Sequence, residues 1–159
     1  MIIETINKTH HNLPQQYFGD WVEVVVGDLK KKEIAQDQLK NTDQLEIAIV
    51  FMGKEEARQL NLQYRKKDYA TDVLSFESFD RSSLGELVLC YDVVERQAKE
   101  HNLSFREEAA YLILHGILHL LGFEHENGGA EEEEMMNLQD DIFERRDQLL
   151  AGYRQEVSS

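Results

Sequence analysis

From Ala109 to Phe123 the chain reads AAYLILHGILHLLGF, its longest stretch without a charged side chain, and a helix formed from it is apolar all round. Such a helix has to lie in the middle of a domain with the other elements arranged about it. It is too short to span a bilayer. Ser104 with Glu107 three residues later makes a capping box that opens this helix, and Gly122, just past its last periodic residue, closes it by turning the chain back. Gly116 inside it costs about 1 kcal/mol relative to Ala, which points to close packing or the approach of a ligand at that position.

The same stretch carries the chemistry. His115 and His119 are one helical turn apart, so their imidazoles project side by side, and the turn at Gly122 lets His125 face them. A single histidine among leucines is more often a satisfied core residue than a ligand. Three at this spacing predict a metal site, because burying three unpartnered imidazoles costs several kcal/mol. Neutral imidazoles suit Zn²⁺ better than Mg²⁺, and three protein ligands leave the fourth position open, as in catalytic rather than structural zinc. One Zn²⁺ per chain on His115, His119 and His125 is therefore expected. The spacing equals that of the metzincin proteases, but Gly116 stands where they carry a glutamate base. A zinc metallopeptidase and a non-catalytic binding protein with structural zinc remain the rival classes.

Around this helix the sequence predicts a first strand over Ile2 to Asn7, a helix from about Pro14 to Leu29, and a strand over Leu45 to Met52. A helix after Gly53 follows, with Ala57, Leu60 and Tyr64 inward. Asp72 to Glu77 and Leu84 to Tyr91 read as two strands of a hairpin. Asp92 with Glu95 starts a short helix that stops near His101, and a last helix covers about Ala130 to Leu150. The fold class is α+β, a mixed sheet of about four strands with a buried central metal-binding helix and surrounding helices. At 159 residues, with a single Pro and no Gly- or Ser-rich run, one domain is expected over 1–154, with 155–159 as a loose tail.

Charge bears on the substrate. The net charge of −14 speaks against a polyanion as partner, yet the distribution is uneven. Glu124 to Asp147 holds ten acids and two bases, whereas Lys54 to Lys67 holds five bases and two acids, so a nucleic acid could approach only the latter. Cys90, the one cysteine, sits in an apolar strand pattern as a small buried side chain. Met1 leads into IIETIN without a basic or long apolar run, from which a cytoplasmic protein with no membrane partner is expected.

With LNLQYRKKDYATDVLSFE, LGELVLCYDVV and HGILHLLGFEH in this order, the chain resembles the YbeY family of bacterial metal-dependent endoribonucleases over Leu60 to His125. Ala70, Glu86 and Glu124 depart from the family's usual Pro, Asp and Asp. The resemblance implies zinc on His115, His119 and His125 and a functional arginine at Arg65. It also implies single-stranded RNA as substrate, with no DNA, and action on the 3′ end of 16S ribosomal RNA and on defective ribosomes. By itself Arg65 reads first as a cation closing a helix C-terminus, an order the resemblance reverses, and Asp72 as a turn residue or as a carboxylate orienting Arg65 or a ligand.

Overall fold

The computed structural model describes residues 1–123 and 129–158, so His125 and Glu124 lie outside the described residues. Strands β1 (Ile2–Asn7), β2 (Glu46–Met52), β3 (Val73–Glu77) and β4 (Ser83–Cys90) form one sheet in the order β1-β2-β4-β3. The first, second and fourth run parallel, and β3 returns antiparallel to β4 as the expected hairpin. The mixed α+β architecture of the sequence reading is the one observed.

The near-continuous apolar runs of β2 and β4 are explained by burial on both faces. Ile47, Ile49 and Phe51 with Leu87 and Leu89 face the larger core, which is shared with α1 (Gln15–Lys31) and α5 (Phe105–Leu120). Val50, Met52, Val88 and Cys90 face a smaller core beneath α3 (Lys54–Arg65) and α4 (Tyr91–Glu100). Two short elements, α2 (Gln36–Leu39) and a 3₁₀ turn at Thr42–Gln44, fill the link before β2, where no element was expected. Helices α6 (Gly129–Glu144) and α7 (Arg146–Ser158) complete the layer, packing on α5 and α1.

Helix α5 is the hub. Ser104 Oγ accepts from Glu107 N while the Glu107 carboxylate accepts from Ser104 N, satisfying two donors that the first turn leaves open. At the other end Phe123 N donates to Leu118 O and Gly122 N to His119 O, the paired closure that needs a left-handed residue, and Gly122 has φ +99°. Between the caps Ala109, Ala110, Ile113, Leu114, Ile117 and Leu118 are fully buried. Trp21 Nε1 donates to Ala110 O at 2.8 Å and ties α1 to this helix.

Gly116 faces the sheet, where a Cβ would stand 2.6 Å from Leu87 Cδ2, so the glycine serves close packing rather than a ligand. Restoring the protease glutamate there has a predictable result. Gly116→Glu buries a carboxylate against a fully buried leucine and is expected to cost at least about 3 kcal/mol, seen as a large drop in melting temperature without gain of peptidase activity. A melting temperature within a degree or two of wild type contradicts this packing.

Four local expectations differ from the structure. Tyr64 is 59% exposed, and the buried position on its stripe of α3 is Asn61, whose Nδ2 donates to Tyr69 O at 2.7 Å. Asp92 does not cap its own helix; its carboxylate accepts from Lys54 N and so caps α3. The expected helix over Ala130 to Leu150 is two helices that part at Arg145, where the guanidinium reaches Asp28 of α1 at 2.8 Å and Asp141 at 2.7 Å. Burial would raise the Asp28 carboxyl, but hydrogen bonds and charge from Arg145 and Lys32 outweigh it and hold its pKa below the usual range. The stretch from Gln155, expected to be loose, continues α7 as helix to Ser158.

Candidate active site

A cavity of about 790 Å³ opens between α5, the end of α3, β3 and α6. His115, His119, Arg65 and Asp72 all line it. Arg65 and Asp72 come from segments remote in sequence from the histidine pair, and the fold brings all four to one cavity. The third predicted ligand, His125, lies outside the described residues. Among those described, no group of three His, Cys, Asp or Glu is placed to hold a metal.

His115 Nε2 and His119 Nε2 approach to 3.0 Å with their rings nearly perpendicular, at 76°. His115 Nδ1 lies 3.0 Å from Gln139 Oε1, which can only accept, so Nδ1 carries the proton and the His115 Nε2 lone pair faces the cavity. In that arrangement the His119 Nε2–H donates to His115 Nε2. The pair fits a metal. Two nitrogens at about 2.0–2.1 Å from a tetrahedral Zn²⁺ stand about 3.3–3.4 Å apart, so a shift of a few tenths of an ångström exchanges the shared proton for a cation.

Gln139 is the residue that sequence reasoning missed. It comes from α6 and is 1% exposed. A signal existed, because it falls between Met135 and Ile142 on the buried stripe of that helix, where a polar residue needs a partner. A hydrogen-bonding outer partner of this kind fixes the tautomer and orientation of a ligating histidine.

Arg65 closes the last turn of α3, and the left-handed residue at its C-cap is Lys66 rather than a glycine. Its neighbour Arg58 is committed to Glu55 and Asp68. Asp72 also lines the cavity, and its Oδ1 accepts from Val73 N at 2.7 Å and sets the start of β3. Its Oδ2 lies within 3.3 Å of the Gln97 amide, which also reaches the buried Glu108 carboxylate, two turns before His115 on α5.

Glu108 pairs in turn with His101 at 2.9 Å, where the glutamate side chain is 1% exposed and the histidine 54%. The hydrogen bond to Glu108, and then its charge, raise the His101 pKa above its ordinary value of about 6.5. The pair's stability is complete below about pH 6.5, where the imidazole is protonated in both folded and unfolded chains, and is lost as pH rises through the raised value. His101→Gln should therefore flatten the decline in melting temperature as pH rises above about 6.5. An unchanged slope removes this pair as its source.

The family model described as Endoribonuclease YbeY matches residues 3–147. The endoribonuclease YbeY of Bdellovibrio bacteriovorus is 44% identical over 144 residues, covering 91% of this chain and 94% of that protein. That of Aquifex aeolicus is 38% identical over 140 residues, covering 79% and 93%. A Thermotoga maritima protein solved in solution superposes with a TM-score of 0.60 at 25% identity, covering 98% of this chain and 93% of that one. Among the described residues no helix is long and apolar enough to cross a membrane.

Proposed function

The chain belongs to the endoribonuclease YbeY family, and from that premise we propose that it is a zinc-dependent endoribonuclease specific for single-stranded RNA. Its place is the cytoplasm, acting on the 3′ end of 16S ribosomal RNA, on the small subunit and in ribosome quality control. The observation that carries the reading is the meeting of two imidazole Nε2 atoms at 3.0 Å in a cavity that an arginine also lines. His115 and His119 hold the zinc, with His125 as third ligand. Bound there, zinc would supply Lewis acidity and a source of hydroxide at neutral pH.

The remaining work falls to the chain's own side chains. Arg65 can give two hydrogen bonds to two phosphate oxygens and so hold the scissile group while negative charge builds on it. Gln139 keeps the His115 proton on Nδ1, away from the cavity. A peptidase using the same pair lacks its base, since position 116 faces Leu87 and not the cavity.

The test is a comparison of single-stranded RNA with casein, with and without chelator. RNA is cut only without chelator, and casein remains intact. RNA cleavage that persists in chelator and in His119→Ala, or casein cleavage that His119→Ala abolishes, overturns the reading. Gln139→Leu is expected to weaken zinc about 10- to 100-fold in competition with a chromophoric chelator, while Gln139→Glu, which keeps an acceptor, retains it. Equal affinity in Gln139→Leu shows that the His115 partner is dispensable.

A further inference from the structure

Among the described residues, Tyr64 is the exposed aromatic that lines the cavity. It lies on the same stripe of α3 as Ala57 and Asn61, both buried, but in the last turn of the helix. There its ring meets Phe76 edge to face, centroids 5.1 Å apart at 72°, and stays 59% exposed. Both rings line the cavity that holds the histidine pair. A tyrosine needed only for packing would turn into the smaller core. This one is braced by a neighbouring ring and keeps much of its surface toward solvent at the mouth of a site.

We propose that Tyr64, braced by Phe76, is a stacking platform for one unpaired nucleobase of a single-stranded RNA whose phosphate is held by Arg65. This rests on the endoribonuclease reading and adds to it the residue that selects single strands. Tyr64 and Arg65 are consecutive, and the base and phosphate of a nucleotide are covalently close, so one helical turn can hold both parts of the strand. A ring recognises any base through its π-face, which makes the contact tolerant of sequence. In a duplex that face is covered by the neighbouring base pairs, so the platform has nothing to stack on. Tyr69 and Phe79 are also exposed, but neither lines the cavity.

The experiment is equilibrium binding of the full chain, in chelator so that no strand is cut, to a single-stranded oligoribonucleotide containing 2-aminopurine. A second strand of equal length has abasic sites in place of its bases. Tyr64→Ala should bind the intact strand about 5- to 100-fold more weakly and lose the fluorescence quenching. Tyr64→Phe should bind within about twofold of wild type. On the abasic strand, Tyr64→Ala and wild type should bind alike, since only phosphate contacts remain. Three results overturn the platform. Tyr64→Ala could bind the intact strand normally, could weaken both strands equally, or the Tyr64-dependent ligand could prove to be an unstructured aromatic peptide instead of RNA. If wild type binds the intact strand with the expected Tyr64 dependence yet cuts no RNA when zinc is supplied, the platform stands and the nuclease reading falls.

Discussion

His119→Ala is expected to abolish stoichiometric zinc and to lower RNA cleavage by about a thousandfold or more. Several kcal/mol of charge stabilisation reside in a bound metal, and each 1.36 kcal/mol is tenfold in rate. The fold should survive. His119 is only partly buried, at the end of α5, and the helix is closed beyond it by backbone bonds from Gly122 and Phe123 that need no imidazole. The substitution also removes the 3.0 Å nitrogen contact with His115, so the metal-free variant should melt within a few degrees of the metal-free wild type. Zinc should raise the melting temperature of wild type and leave that of the variant unmoved, because a ligand stabilises only the state that binds it. Elemental analysis and paired melting curves check all of this. One zinc per chain in purified His119→Ala would falsify the assignment whatever the activity.

The second large effect belongs to Arg65→Lys. Charge survives this change, but the planar fork that meets two phosphate oxygens does not. A donor whose bond strengthens as charge develops is worth about 2.7–4 kcal/mol, so turnover should fall by two to three powers of ten. Were Arg65 only the cation at the end of α3, the change would alter stability by well under about 1 kcal/mol and leave cleavage within a few-fold of wild type. Single-turnover cleavage and thermal melting on the same sample, with zinc content verified, separate the two. Normal cleavage strikes Arg65 from the site and leaves the histidines as its only assigned members.

The two buried amides, Asn61 and Gln139, mark how far a sequence can be read. Each interrupts an apolar stripe, between Ala57 and Tyr64 in one helix and between Met135 and Ile142 in the other. Periodicity therefore announces that a polar side chain faces inward and must find a partner. It does not say which, and the two answers differ in kind: Asn61 secures the loop after α3 through Tyr69 O, whereas Gln139 orients a predicted metal ligand. Tyr64 shows the converse. Its angular position is inward, yet in the last turn its ring rests on Phe76 of β3 and stays 59% exposed.

What the sequence determined by itself is whatever depends on spacings of a few residues. The pairing of His115 with His119, the capping box at Ser104, the closure at Gly122 and the β3–β4 hairpin all follow from local stereochemistry, in which a fixed offset gives a fixed geometry. Tertiary structure decided the rest. It set Leu87 against Gly116, placed Gln139 behind His115 across 24 residues, brought Arg65 and Asp72 to the cavity, and broke the last helix where Arg145 meets Asp28, 117 residues away. The reason is physical. A helical repeat fixes the direction a side chain takes from its own axis, while the neighbour it meets there depends on how distant segments close and pack, and close packing admits one arrangement among many that the pattern allows.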